Sequence, residues 1–209
     1  MAKLIVSTVG MTLFSPFGLT SEERRVIKTH ANEMRLTPAV RSVLERIRQK
    51  AVQHPDLVFQ SVEFKTLSLY AQKTAQYQQW ALPGVRYIFV TTQTQFGQFM
   101  REVTQRAIQR AHPQLNCQYV SVAGLQVGNA AGLDDALREL TALLDGLCSA
   151  YQRLDVLFNV SGGFKFIAGS IQSYANYHGY PTVYTFDGTQ MIMTKPDVPG
   201  QFPPRLVYI

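Results

Sequence analysis

The sequence predicts an α/β fold, a mainly parallel sheet with helices on both faces and a β-hairpin at the C-terminal end. Short apolar runs of strand length recur along the chain and alternate with stretches of helical periodicity. The clearest run, residues 85–92, is nearly continuous in apolar side chains, as expected of a strand buried on both faces. No Gly/Ser-rich linker, repeat or low-complexity tract divides the 209 residues. One domain over 1–209 is therefore expected, with a core at about 3–195 and a Pro-rich tail at 196–209 crossing the surface.

Taken in order, residues 4–9 form a short buried strand, and residues 21–34 and 37–52 two helices. The second helix places Thr37 as N-cap and Pro38 at the first helical position, where a missing N–H costs nothing. His54-Pro55 stops it. Residues 61–80 read as a third helix, capped by Ser61, with Glu63 complementing the dipole in its first turn. Residues 57–64 also fit a strand. Pro83-Gly84 turns the chain into the strand at 85–92, and a helix over 96–111 ends at His112-Pro113. A strand at 118–123 and a helix at 134–150 follow, then a strand at 155–160 and a helix at 165–177. A strand at 182–186 turns at Asp187-Gly188 into a hairpin partner at 191–194.

Composition narrows the classes of function. Hydrophobic residues make up 46% and charged residues 16%, the balance of a folded globular domain. No apolar run approaches the roughly 18 residues that span a bilayer, and a strand begins at once, without a signal-peptide pattern. A cytoplasmic protein with no membrane association is expected. Cys117 and Cys148 lack CxxC spacing and read as free thiols, a disulfide being the alternative. The net charge of +6 and pI near 9.4 favour polyanionic partners. Much of the excess lies between Arg24 and Lys50, where a solvated helix face and a nucleic-acid footprint are both open readings.

Ligands of open α/β sheets bind outside the carboxyl ends of the strands. This directs attention to residues 10–20, 91–97, 124–132 and 161–165. The most informative segment is Asn159-Val160-Ser161-Gly162-Gly163-Phe164-Lys165. A buried strand runs into Ser-Gly-Gly, and a lysine opens a helix. Paired glycines let backbone N–H groups approach an anion, and the helix N-terminus adds favourable partial charge. Lysine in the first turn opposes the helix dipole, a conflict that a bound phosphate would resolve. An ordinary turn with a solvent-facing lysine is the competing reading. There is no GxxxxGK[ST] loop and no GxGxxG fingerprint, which argues against a P-loop enzyme and a dinucleotide-dependent oxidoreductase. His30, His54, His112 and His178 show no metal-ligand spacing, and neither a cofactor nor a metal is expected. Tyr174, Tyr177 and Tyr180 follow the lysine loop and either line a base pocket or pack in the core.

Five segments, in register over most of the chain, resemble one family. Thr8-Val9-Gly10-Met11-Thr12-Leu13 is similar to the TVGTSL motif of CRISPR-associated CARF proteins in the ring-nuclease-like branch. Ser61-Val62-Glu63-Phe64-Lys65-Thr66-Leu67 resembles that branch's SAEINSL segment. Thr91-Thr92-Gln93-Thr94, with Gly97 beyond, resembles its TSDT…G turn, and Val122-Ala123-Gly124-Leu125 its V-x-GL strand end. Asn159 to Lys165 is similar to its N-x-[ST]-GG-[FT]-K signature. Met11 stands at the motif's threonine, Thr12 at its serine, and Gln93 at its aspartate.

The resemblance implies a homodimeric Rossmann-like CARF domain binding a cyclic oligoadenylate of four or six adenylates at its two-fold axis. It implies no partner in the membrane and no long nucleic acid. Because the CARF-like region fills the chain, it further implies a ring nuclease that cleaves this second messenger and switches off type III CRISPR signalling. Such an enzyme uses the ligand's own ribose 2′-OH as nucleophile, without metal, leaving a 2′,3′-cyclic phosphate. On this reading Lys165 and Thr12 are catalytic. Gly10, Met11, Thr91, Thr92, Gln93, Gly124, Leu125, Ser161, Gly162 and Gly163 line the ligand site. A non-catalytic sensor that regulates a partner effector is the alternative.

Overall fold

The computed structural model describes residues 2–30, 36–77, 79–123, 132–186, 190–195 and 205–208. Strand β1 (Leu4–Thr8) is followed by a 3-10 turn (Met11–Phe17) and helices α1 (Ser21–His30), α2 (Pro38–Gln53), α3 (Asp56–Phe59) and α4 (Val62–Ala75). Then come β2 (Arg86–Thr92), α5 (Gln95–Ala111), β3 (Asn116–Val122) and α6 (Leu133–Cys148). The chain closes with β4 (Val156–Asn159), α7 (Lys165–His178), β5 (Thr182–Phe186), β6 (Gln190–Lys195) and β7 (Arg205–Tyr208).

Among the described residues, seven strands lie in the order β3-β2-β1-β4-β5-β6-β7. The first five are parallel, and β6 and β7 add antiparallel at one edge. This is a Rossmann-like sheet, and the hairpin of β5 and β6 stands where the sequence places it. The segment expected to be only a surface tail contributes a strand as well: β7 pairs with β6, Met193 opposite Val207. Val207 and Tyr208 favour a strand, but four residues after a proline-rich stretch are too short to stand out, and the edge of β6 gives them a partner.

Alternation along the strands sorts the core onto two faces. Ile5, Tyr87, Phe89, Leu157 and Val183 point to the side covered by α1 to α5. Leu4, Val6, Ile88, Val90, Val156 and Phe158 point to the other, under α6 and α7. Thr37 caps α2 as its sequence predicts, accepting a hydrogen bond from the Val40 N–H, with Pro38 in the first turn. The region of the third predicted helix is shorter than expected. It starts as expected, with α4 beginning at Val62 after Ser61, but stops at Ala75 with Gln76 left-handed at φ 53°, while the short helix α3 just before it and the first turn of α4 remove the strand alternative for 57–64. None of the described helices is long and apolar enough to cross a membrane.

Trp80 organises the larger core. Its ring stands edge-on to Phe64, Tyr87 and His112 at centroid distances of 4.7, 5.4 and 5.3 Å. The Tyr87 hydroxyl donates to the Trp80 carbonyl at 2.7 Å and accepts from the Leu82 N–H at 2.9 Å, fixing the turn that launches β2. Burial here holds His112 below its ordinary pKa of 6.5, against the opposing pull of Asp56. A lowered histidine favours the neutral imidazole in the folded state, so its contribution is complete above pH 6.5. That contribution is lost as pH falls through the lowered pKa. The stability that wild type holds over His112→Gln, read as the difference in their denaturant midpoints, should therefore grow with pH between about pH 5 and 7.5.

Candidate functional site

Strands β1 and β4 are neighbours whose chains leave in opposite directions, β1 toward the β2 side and β4 toward the β5 side. The loops at their carboxyl ends diverge and open a crevice, the location at which open α/β sheets take ligands. The loop after β1 is Val9-Gly10 and the start of the 3-10 turn, closed by Leu13 N–H donating to the Gly10 carbonyl at 3.0 Å. The loop after β4 is the Ser-Gly-Gly-Phe segment that enters α7 at Lys165.

The two loops are locked together at van der Waals contact. A Cβ on Gly10 would lie 2.3 Å from Gly163 Cα, and one on Gly163 would lie 2.6 Å from Thr8 Cβ. Gly163 also holds φ at +95°, a conformation L side chains rarely adopt. The buried Thr8 hydroxyl donates to the Gly162 carbonyl. Asn159, fully buried, donates through Nδ2 to Ser7 Oγ at 3.0 Å and to the Glu63 carbonyl at 2.9 Å. Its Oδ1 accepts from the Ser161 N–H at 3.2 Å. These contacts explain what the glycines and the carboxamide of the two motifs do: the glycines let the loops touch, and Asn159 ties them to the sheet and to α4.

Glu63 departs most from its reading in the sequence. There it complements the dipole of its helix; in the structure it is 0% exposed and sits beneath both loops. Its Oε1 accepts from the Gly10 N–H at 3.2 Å and from the Thr12 hydroxyl at 2.5 Å, while a Cβ on Gly162 would lie 2.2 Å from its Cγ. Burial pushes its carboxyl above the ordinary range, and the hydrogen bonds from Thr12 and backbone N–H groups only partly offset that. Ser61 does occupy the N-cap position, but its hydroxyl makes no capping bond. An acid in a first helical turn looks the same in sequence whether solvent or two loops cover it; packing decides.

Above this floor lies a cleft of about 410 Å³, within the size range of small-ligand sites. Gly10, Met11, Thr12, Thr92, Gly163 and Lys165 all line it. Val9, Phe96, Met100 and Ile167 supply apolar wall, and Thr94 a further hydroxyl. Lys28, from α1, also lines the cleft and adds a second basic residue there. Nothing in the local sequence of α1 marks Lys28, because only the chain's return past the 3-10 turn brings it there. The first turn of α7 contains no acidic residue and no side-chain cap, so its positive end is left for an anion.

The other predicted residues are placed differently. Thr91 is buried, and its hydroxyl bonds to Ser121 Oγ at 3.1 Å within the sheet. Gln93 is exposed beyond the end of β2 and is not among the cleft residues. Thr92 Oγ1 stands 2.8 Å from Thr94 Oγ1, which caps α5 by accepting from the Gly97 N–H at 3.0 Å. Ser161 Oγ accepts from the Thr185 N–H at 3.1 Å, tying the loop to β5, and Gly162 is buried against Glu63. Gly124 and Leu125 lie outside the described residues. Tyr174 and Tyr177 line a second hollow of about 730 Å³ between α6 and α7, which Lys165 also borders. Tyr180 stacks on Tyr174 at 6.1 Å, and the Tyr174 hydroxyl donates to Asp145 at 2.7 Å. Cys117 and Cys148 are free thiols, pushed by burial up to about 11 and about 12.

No curated protein matches this sequence. A family model described as CRISPR-associated protein (Cas_APE2256) matches residues 60–198, more than half of the chain. The matched span holds Glu63, Thr92 and the whole Asn159–Lys165 segment, and the Gly10–Thr12 loop that closes the cleft precedes it. The chain belongs to this family of CRISPR-associated proteins.

Proposed function

We propose that the chain is a CARF domain of the ring-nuclease branch, binding a cyclic oligoadenylate in the cleft and cleaving it without metal. The observation that carries this reading is the convergence of Gly10, Thr12, Gly163 and Lys165 on one cleft at the switch point of the sheet. Backbone N–H groups, an uncapped helix start and two ammonium groups form an environment suited to phosphate. Membership in a CRISPR-associated family supports a nucleotide signal as the anion.

In this reading the chain acts as a homodimer, and the two-fold axis presents the same residues to opposite phosphates of the ring. Cleavage requires the ribose 2′-oxygen, the phosphorus and the leaving 5′-oxygen to be aligned. Gly163 brings the β4 loop backbone close enough to hold the phosphate, and Gly10, whose N–H is committed to Glu63, lets the two loops meet. The Lys165 ammonium neutralises charge that grows on the phosphoryl oxygens in the transition state, and Thr12 faces the ribose. Lys28 adds attraction for the ring. The products are linear oligoadenylates ending in a 2′,3′-cyclic phosphate.

Calorimetric titration with cyclic tetra-adenylate, cyclic hexa-adenylate and linear tetra-adenylate tests the binding half. At least one ring should bind more tightly than the linear form by about tenfold or more, about 1.4 kcal/mol. Equal binding of ring and linear forms would remove the proposed ligand. A ring that binds tightly and is never cleaved identifies a sensor acting on a partner effector instead.

A further inference from the structure

The hydrogen bond between Thr12 and Glu63 restricts what Thr12 can do for a ligand. A threonine hydroxyl has one proton and two lone pairs. Here the proton is directed at Glu63 Oε1, 2.5 Å away. The side of the oxygen that meets the cleft is therefore left to accept. Among the groups of a ribose phosphate, the 2′-OH donates, whereas an ionised phosphate oxygen only accepts. Thr12 in this arrangement is matched to the hydroxyl and mismatched to the phosphate.

Glu63 is equipped to take what Thr12 passes on. It is fully buried, its Oε1 is held by the Gly10 N–H as well as by Thr12, and its Oε2 has no hydrogen-bond partner among the described residues. The groups facing it are the Gly10 N–H and Thr12 hydroxyl from the β1 loop, the Gly162 backbone from the β4 loop and the Ser61 hydroxyl from the start of its own helix. None of these is charged. Lys165 and Lys28 line the cleft with Thr12. A buried acid so close to a reacting site, with one oxygen unpaired, calls for a role beyond packing.

We propose that Glu63 is the proton acceptor behind Thr12, a positioning residue that draws the ribose 2′-OH proton through the threonine hydroxyl. The inference rests on the ring-cleaving reading. In the step, the 2′-OH proton moves to Thr12 Oγ1 as the Thr12 proton moves to Glu63 Oε1. The freed 2′-oxygen lone pair forms a bond to the adjacent phosphorus, and the bond from phosphorus to the 5′-oxygen breaks. The departing 5′-oxygen takes a proton from water, and Glu63 returns its proton to solvent once the cleft empties. No net oxidation occurs, and the threonine is regenerated.

The chemistry demands an ionised Glu63, so the single-turnover rate has an acid limb that belongs to this residue. The experiment is single-turnover cleavage of the ring that wild type prefers, from about pH 5 to 9, for wild type, Glu63→Gln, Thr12→Val and the double variant. The glutamine side chain keeps the shape and an acceptor oxygen for Gly10 and Thr12 but takes no proton. Each single variant should slow cleavage about 100-fold, in the range of general-base catalysis. Each should also lose the acid limb while binding the ring within about threefold of wild type. Because both residues serve one relay, the double variant should be no slower than the singles. Should Glu63→Gln fail to fold, the pH profile of Thr12→Val decides the matter alone. A Glu63→Gln or Thr12→Val protein that keeps both the rate and the acid limb overturns the relay and leaves ring cleavage standing. A wild-type protein that cleaves neither ring overturns both.

Discussion

Lys165→Ala is expected to slow ring cleavage by about 100- to 1,000-fold, the usual loss when one charged or hydrogen-bonding stabiliser of a transition state is removed. Ring affinity should fall by far less, about tenfold at most, since the backbone N–H groups of the two loops and Lys28 remain. The contrast follows from where the residue sits. Lys165 is exposed at the first position of α7, against the helix dipole, at the edge of the cleft. Its ammonium makes no ion pair or hydrogen bond among the described residues that would justify that position, so removing it should leave the thermal midpoint unchanged or slightly raised. A loss of affinity with the cleavage rate of the bound ring unchanged would mean that Lys165 only holds the ring.

Gly163→Ala is expected to destabilise the fold strongly. Two independent penalties combine: a left-handed backbone at φ +95°, and a Cβ only 2.6 Å from Thr8 Cβ in a fully packed strand end. Left-handed strain and core overpacking together cost about 2–4 kcal/mol, a large part of a domain's stability. Gly84→Ala is the matched control, because its φ is +72° but nothing stands within 4 Å of the added carbon. It should lose only about 1 kcal/mol. Denaturant midpoints for the two variants separate strain from collision. A Gly163→Ala protein as stable as Gly84→Ala would show that the two loops do not meet as described.

The parts of this molecule that are legible in its sequence are those fixed by neighbours along the chain. Thr37-Pro38 announces α2 because capping and a missing N–H are local chemistry, and β2 reads as a strand because a short run of large apolar residues has few other homes. The Ser-Gly-Gly-Phe-Lys segment points to its own site for the same reason. What the sequence conceals depends on residues far apart. Glu63 is a dipole partner until the loops of β1 and β4, more than 50 and 90 residues away, close over it. Lys28 reaches the cleft only through the turn of the chain, and Thr91 and Ser161 lose their hydroxyls to the sheet because neighbouring strands need them. The strand β7 exists because β6 offers an edge. The stretches at 124–131 and 187–189, which hold Gly124, Leu125 and the hairpin turn, lie outside the described residues.

The most direct measurement is incubation of the purified protein with radiolabelled cyclic tetra-adenylate and cyclic hexa-adenylate in excess EDTA, with products resolved by chromatography and mass. Linear oligoadenylates bearing a 2′,3′-cyclic phosphate are expected from at least one ring, at a rate indifferent to the chelator. Tight binding with both rings recovered intact, or cleavage that appears only when a divalent metal is restored, would contradict it.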